Sequence, residues 1–368
     1  MKEFNITGIC NPSRHYMVDI SKKLNKIKVM VDKGQYFTIN RARQYGKTTT
    51  LHLLEKLLEP EYLCIRISFE GIGGTMFASE ESFFRNFLDF IKQRIENKKE
   101  SLPDLWQSEH INNFAKLNMH LDTICKEQKI VLMIDETDKM SNNNIFLYFI
   151  GLLRNKYLER DTEGVSTFHS VMMAGVYDIK NVKMKLRNEG YYTEMEKGTI
   201  LNSPWNIASD FKVDMSFDVN EINDMLKDYE KDYRTGMDTI SISEEIHGFT
   251  SGYPSLVSRI CKCIDEEPEL TWNKQGVTEA VRMILSGTNL LFDDIIKNLV
   301  NNKNVSRILH TLLMNGSISG LSIHDPDVSM CVMYGYLKTD KFSKLEISNK
   351  IFAKVMLDYF FDVPKPHY

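Results

Sequence analysis

Short apolar runs alternate with amphipathic stretches through the first two thirds of the chain. That is the pattern of an α/β architecture on a mainly parallel sheet. Runs at residues 35–40 (QYFTIN), 62–68 (YLCIRIS), 129–135 (KIVLMID), 168–174 (FHSVMMA) and 211–217 (FKVDMSF) predict a five-stranded sheet. Between them, Leu51, Leu54 and Leu58 share one face of a helix opening near Lys47. Phe83, Phe87, Phe90 and Ile91 do the same in the next crossover and read as core. Past residue 217 helical periodicity takes over, at 218–233, 241–249 and 253–266. From about residue 271 the helices are followed by short strands near 329–337 (SMCVMYGYL) and 344–347 (KLEI), then a last helix. The expected division is a core over 1–217, a helical lid over 218–270 and a winged-helix-like domain over 271–368.

Composition narrows the function classes. Lys+Arg 46 against Asp+Glu 50 gives a net charge of -4, unlike a surface built throughout to coat nucleic acid. Residues 286–368 hold nine Lys/Arg and eight Asp/Glu, a net of +1 and weak electrostatics for a DNA module. Lys180, Lys183, Lys185 and Arg187 form a denser basic run, which reads as a solvated loop or as a local DNA contact. The six cysteines are sparse; Cys261 and Cys263 sit two apart on a predicted helix and point to different sides. They read as reduced thiols, which places the chain in the cytoplasm. The start lacks the apolar core of a signal peptide. The longest apolar run, 145–153, is about half of what spans a bilayer, so no membrane partner is expected.

The chemistry concentrates in two places. Residues 35–48 read QYFTINRARQYGKT: a strand, a loop, then Gly46-Lys47-Thr48 opening a helix, the context of a Walker A phosphate loop. Free N–H groups and a partial positive charge at a helix start bind phosphate oxygens. Arg43, Gln44, Tyr45, Gly46 and Thr49 join Lys47 and Thr48 as expected nucleotide contacts. Lys47 would neutralise the terminal phosphates, and the Thr48 hydroxyl would ligate Mg2+. Where a glycine usually opens such a loop, this chain has Arg41. The second place is the apolar strand running into Asp135-Glu136, the form of a Walker B. Asp135 is the expected second metal ligand, and Glu136 the base that polarises the attacking water. An acidic turn after a core strand is the bland alternative.

The stretches RARQYGKTTTL, VLMIDETDK, LLRNKYLERD, FHSVMMAGVYDI, NSPWNIA and TSGYPSLVSR together resemble the bacterial AAA-ATPase-like family, relatives of the STAND and archaeal ATPases. The resemblance runs over about residues 4–360 and implies that an arginine-bearing, glycine-poor loop is normal. It also implies adenine contacts at Tyr16, Met17 and Val18, and at Tyr253 and Pro254 of the GxP element Gly252-Tyr253-Pro254. Residues 174–178, including Tyr177 and Asp178, would stand in the sensor-1 place. Arg154, with Arg160, would be an arginine finger acting on a neighbouring copy in a homo-oligomer, and Asp138 a second acid. Many members carry a C-terminal nuclease-like domain, for which the chain to Tyr368 is expected to leave no room. The expected cofactors are ATP and Mg2+, and the expected role is an ATPase acting as a nucleotide-driven switch. The alternatives are a scaffold that binds nucleotide without turnover, or a DNA-associated ATPase partner of a separate nuclease, contacted through the C-terminal domain.

Overall fold

The computed structural model describes residues 2–70, 74–97, 111–137, 143–176, 205–317, 322–323, 325–339 and 344–362. In chain order the elements begin with β1 (Glu3–Phe4), β2 (His15–Tyr16), α1 (Ser21–Asp32), β3 (Tyr36–Asn40), α2 (Lys47–Leu58) and β4 (Leu63–Ser68). Then come α3 (Glu80–Asn97), α4 (Phe114–Glu127), β5 (Ile130–Asp135), α5 (Asn144–Glu163) and β6 (Ser170–Gly175). The remainder is α6 (Val219–Tyr233), α7 (Thr239–Thr250), α8 (Pro254–Glu266), α9 (Lys274–Ser286), α10 (Leu290–Asn301) and α11 (Lys303–Asn315). It closes with α12 (Pro326–Met333), β7 (Leu337–Thr339), β8 (Leu345–Ile347) and α13 (Lys350–Asp362). These elements form two compact units. Lys23–Asn40 and Thr50–Val213 make a sheet unit; Met1–Lys22, Arg41–Thr49 and Asp214–Tyr368 make a helical unit.

The sheet unit carries four parallel strands in the order β3-β6-β5-β4. Every residue of β5 and β6 is buried, as expected of a parallel sheet covered on both faces. Leu51, Leu54 and Leu58 of α2 are fully buried, and so are Phe83, Phe87 and Ile91 of α3. Phe69, Phe146 and Phe149 join the α3 aromatics in one core, with Phe83 and Phe149 in edge contact at 5.3 Å. Truncating one such ring to alanine costs about 3–5 kcal/mol. At its start α5 is capped by the Asn143 side chain, which accepts from the Ile145 and Phe146 amides. It is stopped by Gly164 at φ 71°, a left-handed cap.

The fifth strand expected at 211–217 does not form. Among the described residues, pairing on the side of β3 away from β6 is one bridge, Phe37 to Ser209, where the Ser209 N–H donates to the Tyr36 carbonyl at 2.8 Å. The Asp214 carboxylate then accepts from the Ser216 N–H (2.9 Å) and hydroxyl (2.8 Å). That local turn takes up the Ser216 N–H, one of the backbone donors a ladder would need.

The helical unit opens with the parallel pair β1–β2, whose rings join an aromatic cluster of Phe4, Tyr16, Tyr229 and Trp272. Helix α6 starts with a reciprocal capping box between Asp218 and Glu221, and α8 starts with Pro254 in its first turn. Residues 329–333, expected as strand, are helical. Pro326 opens α12, and the Asp325 carboxylate accepts from the Asp327 and Val328 amides, so a proline start and a side-chain cap set a helix here. The antiparallel β7–β8 hairpin follows. No described helix is long and apolar enough to cross a membrane.

Candidate functional site

The loop after β3 belongs to the helical unit by its contacts. Its left-handed residues are Gln44 (φ 56°) and Gly46 (φ 77°), not Arg41. The turn is therefore made late in the loop, and an arginine can hold the position where glycine is usual. A Cβ built on Gly46 meets no atom within 4 Å, so the loop is open beside this residue. Lys47 is 9% exposed, and its ammonium donates to the Arg41 and Ala42 carbonyls, each at 2.9 Å. Those oxygens satisfy a cation that burial would otherwise penalise. No acidic residue stands in the first turn of α2 to compete for its amides. Thr48 is part-exposed, and the Thr49 hydroxyl accepts from the Cys10 amide at 3.1 Å.

Further contacts grip the loop within the same unit. The hydroxyl of Tyr253 donates to the Arg43 carbonyl at 2.5 Å. The Tyr253 ring meets Tyr45 edge-on at 4.7 Å. Burial, then the charge of Asp214, pushes the Tyr45 phenol up to about 12. Burial holds the Arg41 guanidinium below its ordinary value. Arg43 itself pairs with Asp294 of α10 at 3.0 Å.

In the sheet unit, Asp135 ends the inner strand β5 and is 2% exposed. By register it is level with Ala174 of β6 and Ile39 of β3, one rung short of Asn40. Two strand spacings separate it from β3, roughly 10 Å. Glu136 follows at φ 56°, and its N–H donates to Asp135 Oδ1 at 2.9 Å. A left-handed glutamate costs about 1 kcal/mol or more, a strain often found where a side chain must be aimed. The Thr137 hydroxyl donates to the Ala174 carbonyl at 3.1 Å and ties that turn to the end of β6.

A family model described as an AAA-like domain matches residues 9–274. The chain belongs to this AAA-like domain family. Among solved structures, the Walker-type ATPase of Pyrococcus abyssi superposes with a TM-score of 0.65 at 12% identity, over 96% of this chain and 99% of that one. Identity that low shows a shared fold and no more. The ORC2 protein of Aeropyrum pernix, in ADPNP and ADP complexes, matches at 11% identity and TM-score 0.46, covering 98% and 97%. The RuvB Holliday junction branch migration motor of Thermotoga maritima matches at 12% identity and TM-score 0.41, covering 94% and 95%. No relative is found among curated protein sequences.

The AAA-like chain arranges its remaining candidate residues unevenly. Gly252 sits at φ 73° with its carbonyl accepting from the Phe217 amide at 2.8 Å, and it hands the chain to Tyr253 and Pro254. Tyr253 spends its hydroxyl on the phosphate loop. Tyr16 spends its hydroxyl on Asp232, at 2.5 Å, and its ring on Phe4 and Tyr229. Val18 is buried, whereas Met17 is part-exposed. In the sheet unit, Arg154 donates to Asn206 Oδ1 at 2.7 Å. Arg160 donates to the Gly34 and His169 carbonyls and lies over the Tyr157 ring at 4.5 Å, so it is engaged within its own chain. Asp138, Tyr177, Asp178 and the basic run from Lys180 to Arg187 lie outside the described residues. Sequence reasoning missed Asp294 and the Cys10 amide. Both reach the loop over long separations and carry no local motif.

Proposed function

We propose that this chain binds ATP with Mg2+ and hydrolyses it, using the cycle as a conformational switch. The observation that supports this most is the phosphate loop itself. A left-handed Gly46 leaves open space beside the start of α2, and Lys47 holds its ammonium on two loop carbonyls that phosphate oxygens could replace. In this reading Arg43, Gln44, Tyr45, Gly46, Lys47, Thr48 and Thr49 take the phosphates. Met17, Tyr16, Val18, Tyr253 and Pro254 flank the base. The Thr48 hydroxyl and Asp135 carboxylate are hard oxygen donors that suit a small divalent cation, and they would hold Mg2+. The ion, when bound, supplies charge neutralisation on the phosphates. Glu136 polarises the attacking water, and the strain at its backbone supports an aimed role for it.

A neighbouring copy contributing Arg154, and a DNA or protein partner on the winged-helix-like residues 271–368, complete the proposal. So do the lid at 218–270, the core at 1–217 and a cytoplasmic location. The test is steady-state phosphate release by wild type, Lys47→Ala and Glu136→Gln. Turnover should fall by about 10²–10⁴ in Glu136→Gln while nucleotide binding persists, and binding itself should fail in Lys47→Ala. Equal background release from all three removes the enzyme reading and leaves, at most, a nucleotide-binding scaffold.

A further inference from the structure

Arg43 is held by two different residues in two different ways. Its carbonyl accepts from the hydroxyl of Tyr253, a side chain 3% exposed and packed against Tyr45 and Phe352. Next to it, Ala42 abuts the turn at Gly335, where an added Cβ would stand 2.7 Å from the Ala42 Cβ. The backbone at this point is therefore pinned by buried groups. The side chain is not. Its guanidinium reaches out to Asp294, with Nη1 at 3.0 Å from Oδ2 and 3.4 Å from Oδ1, and the two side chains are 62% and 31% exposed. An ion pair that exposed is weak. A guanidinium also accepts a phosphate as readily as a carboxylate, in the same forked geometry.

We propose that Asp294 is a positioning residue for the phosphate loop. It parks the Arg43 guanidinium on α10, and the charge of a bound triphosphate draws that guanidinium away. The ion pair thereby sets how strongly the chain prefers ATP over ADP, and breaking it releases α10 from the loop. The inference rests on the reading of residues 41–48 as a phosphate cradle and assigns the ATP–ADP discrimination within it. A fixed backbone with a movable side chain suits this role, because the cradle keeps its shape while one charge changes partner.

The experiment is titration of the full chain with fluorescent ATP and ADP analogues in the presence of magnesium, for wild type, Asp294→Asn, Asp294→Glu and Arg43→Gln. Freed of its carboxylate, Arg43 should tighten ATP binding by about three- to fivefold in Asp294→Asn, the most a pair this exposed can withhold, with ADP changed less than about twofold, since only the triphosphate supplies the added charge. Asp294→Glu should restore the wild-type ratio. Arg43→Gln, which does not depend on how Asp294→Asn folds, should bring the two nucleotides close to parity. An unchanged ATP–ADP ratio in either Asp294→Asn or Arg43→Gln, with wild type still binding, overturns the proposal and leaves the cradle reading intact. Equal weakening toward both nucleotides in Asp294→Asn overturns it too, because that is what loss of a merely structural contact would do. Wild type that binds neither analogue removes the cradle reading and this proposal together.

Discussion

Replacing Gly46 by alanine separates the folding role of the phosphate loop from its binding role. Gly46 sits at φ 77°, where an L-residue is strained by about 1–2 kcal/mol. Yet a Cβ there would meet nothing within 4 Å, so no steric term adds to the strain. The expected stability loss is thus about 1–2 kcal/mol and no more, a small shift in the thermal midpoint. Binding should behave differently. On the proposed reading of the loop, the methyl group would fill the space through which a phosphate oxygen would approach the amides at the start of α2. Loss of that approach should weaken ATP by about 100-fold, close to 2.8 kcal/mol. Two measurements on one sample decide it: thermal unfolding without nucleotide, and equilibrium titration with ATP and magnesium. Affinity within about threefold of wild type, in a variant that folds normally, would refute the reasoning. The open side of Gly46 would then face something other than a ligand.

Gly252→Ala should show the opposite balance. Its Cβ would stand 2.0 Å from the Phe217 carbonyl oxygen at φ 73°, and overlap plus strain predict a loss of about 3–4 kcal/mol in chemical denaturation; a loss below about 1 kcal/mol would show that this turn yields easily. Acid should destabilise the fold in the pH range of histidine. His52, His120, His169 and His247 all have pKa values held below 6.5, in each case first by burial. The unfolded chain takes up protons near 6.5 that the folded chain refuses, so stability is full above that value and falls as pH drops through it. The thermal midpoint should decrease from pH 7.5 to 5.5, with a shallower slope in His169→Asn; a flat or rising profile contradicts the burial argument.

The site and its supports were legible to different degrees. The strand, loop and helix around Gly46-Lys47-Thr48 and the strand that ends at Asp135 could be read directly, because local periodicity sets each of them. The same periodicity placed Leu51, Leu54 and Leu58, and Phe83 and Phe87, in the core, where the sheet unit buries them. It failed at 211–217 and at 329–333. In the first, the bonds of Asp214 to Ser216 make a turn from what alternation alone reads as strand. In the second, Asp325 and Pro326 start a helix that carries through an apolar run to Met333. Both misses come from capping and turn chemistry overriding propensity.

Local sequence thus determined that a loop between a strand and a helix start carries Gly46, Lys47 and Thr48, since such elements are set by neighbours a few positions apart. Only the tertiary structure decided what holds that loop. The grip of Tyr253 on the Arg43 carbonyl, the pairing of Arg43 with Asp294 and the closeness of Gly335 to Ala42 join residues more than 200 positions apart. No periodicity or motif encodes such pairings, because chain folding, and not adjacency, brings their partners within bonding distance.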